Sequence, residues 1–254
     1  MRKLTTLFLL LTAFVAHAAP LDDTRLVILK TDADGQCTVS GNATLESKPF
    51  PPASTFKVLI TWAGLAEGLV TPETKRRVTD AFVPGAPREL SLHEALYFSS
   101  NDYFNWLGKR LGREKLEHYI AKSGYAGGTA PKGWFSDPEQ IKAGGTIRIT
   151  PRQNHDFMLR VARGKLGATP EVQAQLLQAM RWPCVTAGRK IYGKTGSMSG
   201  VLWFNGFMEE GGRVTVITVL AQADVDARPA LLQRAYAELG ETFDLSWLKA
   251  YPLK

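Results

Sequence analysis

Strand-like sequence stands at both ends of this chain and helical sequence fills its middle, an order that constrains the fold more than any other feature. Arg25 to Lys30 is apolar and β-branched, Asp34-Gly35 supplies a tight turn, and Cys37 to Ser40 resumes alternation, so the three read as a β-hairpin. After Pro183 the strand texture returns in Lys190 to Lys194, Leu202 to Met208 and Arg213 to Ala221, with Glu210-Gly211-Gly212 as a connecting turn. Between these ends helical periodicity runs through Leu92 to Leu107, Arg113 to Ala121, Pro151 to Ala162 and Pro170 to Met180, and a last helix covers Pro229 to Leu239. Distant strands share a sheet only if the middle folds beside it. The pattern therefore predicts an α/β (α+β) fold, an antiparallel sheet flanked by helices with a helical lobe, about residues 65–182, inserted in it. No repeat or low-complexity linker divides the chain, so residues 19–254 are expected to form a single domain.

The first residues follow a different logic. Met1-Arg2-Lys3, an apolar run from Leu4 to Val15 and Ala16-His17-Ala18 give the charged, apolar, small-residue order of a secretory signal, residues 1–18, cleaved after Ala18. An uncleaved anchor is the other reading, for which the run is short. No second stretch approaches the roughly 20 apolar residues of a membrane helix, so the mature chain is expected to be periplasmic or secreted, without stable membrane insertion. In that compartment Cys37 and Cys184 permit one disulfide, and two separate thiols remain equally open. A composition of 44% hydrophobic and 22% charged residues excludes disorder. The formal charge of +7 becomes +5 without Arg2 and Lys3, which suits an anionic small substrate or wall polymer. The basic residues are scattered, and Lys75-Arg76-Arg77 reads as a solvated helix face, so no nucleic-acid partner is expected.

Three short polar clusters carry chemistry. In Ser54-Thr55-Phe56-Lys57 the serine opens a helix and the lysine, three residues on, shares its face. A serine hydroxyl needs a base to take its proton, and a lysine serves once desolvation or a neighbouring cation lowers its pKa. Alone, the same residues fit a surface helix start with a serine cap. Ser99-Ser100-Asn101 offers a hydroxyl for proton relay and an amide that can both donate and accept, or else a helix cap. Lys194-Thr195-Gly196-Ser197, at the end of a predicted strand, offers a cation and hydroxyl for a carboxylate and a glycine for close ligand approach, or else an ordinary strand end. Chance would place all three in on the order of 0.01 of chains of this composition. His93, His118 and His155 stand alone in helical patterns, with no H-E-x-x-H and no C-x-x-C. Neither a zinc site nor a Ser-His-Asp triad is expected, and these histidines are placed at a surface or interface. Trp134 and Trp203 read as packing residues or as cleft lining.

The three clusters together resemble those of penicillin-binding proteins and serine β-lactamases, over nearly all of the mature chain. Pro52-Ala53-Ser54-Thr55-Phe56-Lys57 with Gly64-Leu65-Ala66-Glu67-Gly68, and later Tyr192-Gly193-Lys194-Thr195-Gly196 and Trp203-Phe204-Asn205-Gly206, is similar to the class D (oxacillinase-type) β-lactamases. The resemblance implies a β-lactamase/transpeptidase-like fold and an acyl-serine mechanism with Ser54 as nucleophile, Lys57 as base and Ser99 as relay to the leaving nitrogen. It further implies Asn101 on the substrate's side-chain amide, Lys194 and Thr195 on its carboxylate, and an oxyanion hole from the backbone N–H groups of Ser54 and Ser197. Arg228 either assists the carboxylate or is a surface residue at a helix start. The implied partner is a β-lactam or a peptidoglycan stem peptide. The implied activity is that of a class D-like β-lactamase, with a D,D-peptidase/transpeptidase or a sensor that stays acylated as alternatives. No metal or cofactor is implied beyond a CO2-derived carboxylation of Lys57. The sequence departs from class D at three places: Asn101 where valine is usual, as in the transpeptidases; Tyr125-Ala126-Gly127 for Tyr-Gly-Asn; and Ala143 near where a tryptophan supports the carboxylated lysine. The last departure weighs against carboxylation and rapid deacylation.

Overall fold

The computed structural model describes residues 21–249, so the expected signal segment, residues 1–18, lies outside the described residues. The chain begins with the strands β1 (Leu26–Thr31) and β2 (Cys37–Gly41) and ends with β5 (Arg181–Trp182), β6 (Arg189–Met198), β7 (Val201–Glu210), β8 (Arg213–Ala221) and the helix α6 (Arg228–Glu238). These strands form one antiparallel sheet in the order β2-β1-β8-β7-β6-β5. The predicted hairpin thus closes onto the C-terminal strands, with Leu26 opposite Ala221 and Thr31 opposite Val216. Between β2 and β5 lie α1 (Lys57–Ala66), the short strands β3 (Arg76–Val78) and β4 (Arg88–Leu90), then α2 (Leu92–Tyr97), α3 (Asn101–Ser123), α4 (Pro151–Ala162) and α5 (Pro170–Ala179).

Alternation along β1 divides the core. Val27 and Leu29 join the cluster built with α1, α3 and α4, whereas Leu26 and Ile28 join Leu231, Leu232, Ala235 and Tyr236 of α6. Burial on both faces explains why β1 reads as a continuous apolar run. Each fully buried Leu or Ile there contributes about 1.5–3 kcal/mol. The starts of α4 and α5 were legible for a local reason. Thr150 forms a capping box with Gln153, Thr169 accepts from the N–H of Val172, and a proline follows each cap.

The structure corrects some expectations and decides others that the sequence leaves open. Arg76 and Arg77 belong to β3, paired antiparallel with β4, rather than to a solvated helix face; the alternation outward at Arg77 and inward at Val78 is that of a strand. The helix expected over Leu92 to Leu107 is broken between α2 and α3, where Ser99 takes φ 62°. Cys37 and Cys184 are free thiols. Cys37 is on β2 and Cys184 follows β5, at opposite edges of the six-stranded sheet, on the order of 20 Å apart by strand spacing and beyond disulfide reach. His155 is completely buried rather than at a surface, between Thr31 at 2.8 Å and Thr218 at 3.1 Å; His118 is exposed and His93 half-buried. Trp134 and Trp203 are packing residues: Trp134 meets Phe56 edge-on, and Trp203 donates to the carbonyl of Pro51 at 3.0 Å. Among the described residues no helix is long and apolar enough to cross a membrane.

Candidate active site

A cleft of about 360 Å³ opens where β6, the start of α1 and the α2–α3 junction meet. Ser54 lines it from a 3-10 turn, Ala53–Phe56, that leads directly into α1. Ala53 just before it has φ 51°, a left-handed conformation that a non-glycine residue holds only under constraint. Lys57 lies one turn further along with no exposed surface. Its Nζ donates to the carbonyl of Ser99 at 2.6 Å and to Asn101 Oδ1 at 3.0 Å, and it stands 3.2 Å from Ser99 Oγ. Burial pushes the Lys57 pKa well below the ordinary lysine range; Asp80 opposes this, and the cations Lys142 and Arg228 add to it.

The α2–α3 junction is held in place by a residue that no motif flags. Asp80, buried, accepts from the Ser100 hydroxyl and from the backbone N–H of Asn101 at 3.0 Å. Ser100 in turn caps α3 through the N–H of Tyr103. A buried carboxylate at a helix start satisfies donors that have no partner within the helix and suits the local dipole. The serine between two helical segments is thereby turned so that Ser99 and Asn101 both face the cleft.

The third cluster lies within a strand and not at its end, since β6 runs on to Met198. Only Arg181 and Trp182 of β5 pair with β6, so its edge is open beyond Gly193. The N–H of Gly193 points to that outer side, bonding the carbonyl of Met180 at 3.0 Å. By strand alternation the N–H groups of Thr195 and Ser197 point the same way, toward the Ser54 turn. Gly196 has a packing reason to be small besides ligand approach: a Cβ there would stand 3.2 Å from the carbonyl of Pro52, from Thr55 Cγ2 and from Trp203 Cδ1. The missing side chain lets β6 lie against the serine turn. Thr195, Gly196, Ser197 and Arg228 all line the cleft. Lys194 does not; it is completely buried behind Thr195, with Nζ donating to that residue's carbonyl at 3.0 Å. Burial, then the charges of Lys57 and Arg228, push its pKa well below the ordinary range.

The residues singled out in the three clusters therefore converge, with Lys57 and Lys194 beneath the surface and the others on it. A model of the penicillin-binding protein transpeptidase domain matches residues 30–235. The chain belongs to this family. It is 26% identical over 209 residues to Beta-lactamase OXA-19 of Pseudomonas aeruginosa, covering 74% of this chain and 73% of that one. It is 24% identical over 183 residues to the Regulatory protein BlaR1 of Bacillus licheniformis, covering 69% of this chain and 30% of that protein. The solved class D β-lactamase from Bacillus subtilis superposes with a TM-score of 0.74 at 19% identity, over 86% of this chain and 93% of that one. The β-lactamase/transpeptidase-like fold expected from the sequence is the observed one.

Sequence reasoning missed Asp80 and Lys142. Lys142 lines the cleft from the 3-10 turn Pro138–Ala143, beside Ala143. A lone acid in a loop and a lone lysine in a short turn carry no local pattern, so neither had a signal to read.

Proposed function

We propose that this chain is a class D-like serine β-lactamase that opens the lactam amide through an acyl-serine intermediate. The observation that carries this reading is Lys57, buried one turn below Ser54 with its amine between Ser99 and Asn101. Desolvation lowers the pKa of that amine and so favours its neutral form, the form that can accept the Ser54 proton as Oγ attacks the lactam carbonyl. A neutral amine has two N–H groups, enough for the Ser99 carbonyl and Asn101 Oδ1, and a lone pair that the Ser99 hydroxyl can approach. When the C–N bond breaks, the proton passes from Lys57 through Ser99 Oγ to the departing nitrogen. Backbone N–H groups of Ser54 and Ser197 hold the oxyanion, each worth about 3–4 kcal/mol. The substrate carboxylate rests on Thr195 and Arg228, with Lys194 buried directly behind Thr195. Water then attacks the ester carbonyl, and the serine leaves as it regains its proton.

Carboxylation of Lys57 does not fit these surroundings. The carbonyl of Ser99 and Oδ1 of Asn101 are acceptors aimed at the amine, whereas a carbamate needs donors. Ala143 supplies no side-chain donor at the cleft wall. We expect 13C-bicarbonate to leave no carbamate signal on the protein and to leave the acylation rate unchanged; a carbamate resonance lost in Lys57→Ala would refute this.

The same feature favours a second reading, a D,D-peptidase or transpeptidase on peptidoglycan, because without a carbamate water has a weaker base. Mass spectrometry of the protein with benzylpenicillin over time separates the readings. Acylation on Ser54 that decays with release of hydrolysed penicillin supports the β-lactamase. A persistent adduct, with D-alanine released from a stem peptide, supports the peptidase, and a persistent adduct without it supports a sensor. Absence of any adduct removes the acyl-serine proposal. The site of action, on this reading, is the periplasm or the medium, resting on the order of residues Met1 to Ala18, and mature protein beginning at Ala19 in the soluble fraction is the expected result.

A further inference from the structure

The cleft does not end at Thr195 and Arg228. Beside it lies a recess of about 90 Å³, and Phe82, Phe98, Ser99, Thr195 and Arg228 belong to both linings. The rest of its wall comes from Tyr97 of α2, Trp182 of β5, Leu232 of α6, and Trp247 and Leu248 of the 3-10 turn Leu245–Leu248. Its two most polar wall residues turn their polar atoms away. The Tyr97 hydroxyl donates to the carbonyl of Trp247 at 2.7 Å, and Trp182 Nε1 donates to the carbonyl of Gly193 at 2.9 Å. Rings and aliphatic groups are what remain to face the recess. The rim is apolar as well, since Phe82 stands there 57% exposed.

The residues common to the two hollows decide which part of a substrate reaches the recess. In the reaction proposed above, Ser99 faces the departing nitrogen, while Thr195 and Arg228 face the carboxylate. Between those two points a substrate carries the carbon that joins nitrogen to carboxylate, with whatever substituent stands on or next to it. Asn101, assigned to the amide of the acyl half, and Lys142 line the cleft and not the recess. The group that enters therefore belongs to the leaving half.

We propose that the recess holds an apolar substituent of three or four carbons on the leaving half of the substrate. In a β-lactam this is the ring substituent beside the carboxylate, and in a stem peptide it is the side chain of the terminal D-amino acid. The inference rests on the acyl-serine reading and adds to it a preference which that reading does not contain. An apolar cavity of about 150 Å³ accepts benzene, so the recess, at about 90 Å³, suits roughly three or four carbons. A charged substituent would lose its water against the aromatic wall.

The test compares cefprozil with cefadroxil, which share one acyl side chain and differ in a propenyl against a methyl group on the ring carbon next to the one bearing the carboxylate. Acylation of Ser54 is followed by quenched mass spectrometry at limiting concentration, and each rate constant is divided by that compound's rate of hydrolysis in hydroxide. On this scale cefprozil is expected to react about tenfold faster, the effect of burying two further carbons. Leu248→Trp fills the recess and Phe82→Ser removes its rim at an exposed position; both should bring the ratio toward one. For the peptide source, release of the last residue from diacetyl-L-Lys-D-Ala-D-Leu is expected to outpace release from diacetyl-L-Lys-D-Ala-D-Ala, and the arm that shows the preference names the source. Equal corrected rates within both pairs, or an unchanged ratio in Phe82→Ser and in folded Leu248→Trp, would overturn the assignment. No adduct with either cephalosporin and no release from either peptide would remove the acyl-serine reading, and this proposal with it.

Discussion

If Lys57 is the base of the proposed reaction, its neighbours are what fit it for that role, and those neighbours can be named. Desolvation lowers the Lys57 pKa most, Asp80 works against it, and Lys142 and Arg228 reinforce it. Lys142 is the informative one to change, because it borders the cleft while its backbone segment is anchored independently. Removing its charge takes away a cation that disfavours the protonated Lys57, so the Lys57 pKa rises. The acid limb of the acylation-rate profile in Lys142→Gln should therefore shift to higher pH, with the alkaline plateau unchanged. A stopped-flow series with nitrocefin checks this, and an unmoved acid limb would remove Lys142 from the account. The sign for stability follows from the same shift. The unfolded chain binds more protons on Lys57 between its lowered folded value and the ordinary lysine range, so this residue makes folding more favourable as pH rises through that interval.

At the scale of elements, the Asp80 brace explains how two helices with ordinary sequences present Ser99 and Asn101 together. Asp80→Ala removes the acceptor for the Ser100 hydroxyl and the Asn101 N–H, leaving buried donors unserved. We expect a loss of about 2–3 kcal/mol in denaturant unfolding and a fall in acylation rate larger than in a surface control. Parent-like acylation in a folded Asp80→Ala protein would show that the junction holds without it. This element also marks the limit of what the sequence shows. Capping residues and periodicity are local, so α4, α5 and the β7–β8 hairpin could be read to within two residues. The break at Ser99 depends on a carboxylate about twenty positions upstream, and β3 depends on pairing with β4 across a loop. Neither has a local signature, and an apolar run such as Leu92 to Leu107 reads as one helix until the distant partner is known. In the site, residues in recognisable spacings were legible. The roles of burial were not: Lys194 reads as a cation offered to a carboxylate, and only the fold places it behind Thr195.

Across the whole molecule, lobe and sheet are joined by a buried chain of hydrogen bonds that begins beside the serine turn. Asn154 of α4 reaches Thr55 at 3.4 Å and accepts from Asn205 of β7 at 2.7 Å, Asn205 accepts from Thr218 of β8 at 2.6 Å, and His155 links Thr218 to Thr31 of β1. Burial, with Arg152 and Arg163 nearby, pushes the His155 pKa down to about 3. The folded ring is thus neutral where the unfolded one, near 6.5, would already be charged. Below pH 6.5 the unfolded chain binds one more proton than the folded chain, so stability falls with pH by up to about 1.4 kcal/mol per unit until the folded value is reached. His155→Gln keeps a donor and an acceptor in the seam and removes the titration. Its unfolding free energy, measured in urea between pH 6 and pH 4, should decline less steeply than the parent's by about one proton's worth of slope. Parallel slopes would mean that protonation of His155 is not what opens the join between lobe and sheet in acid.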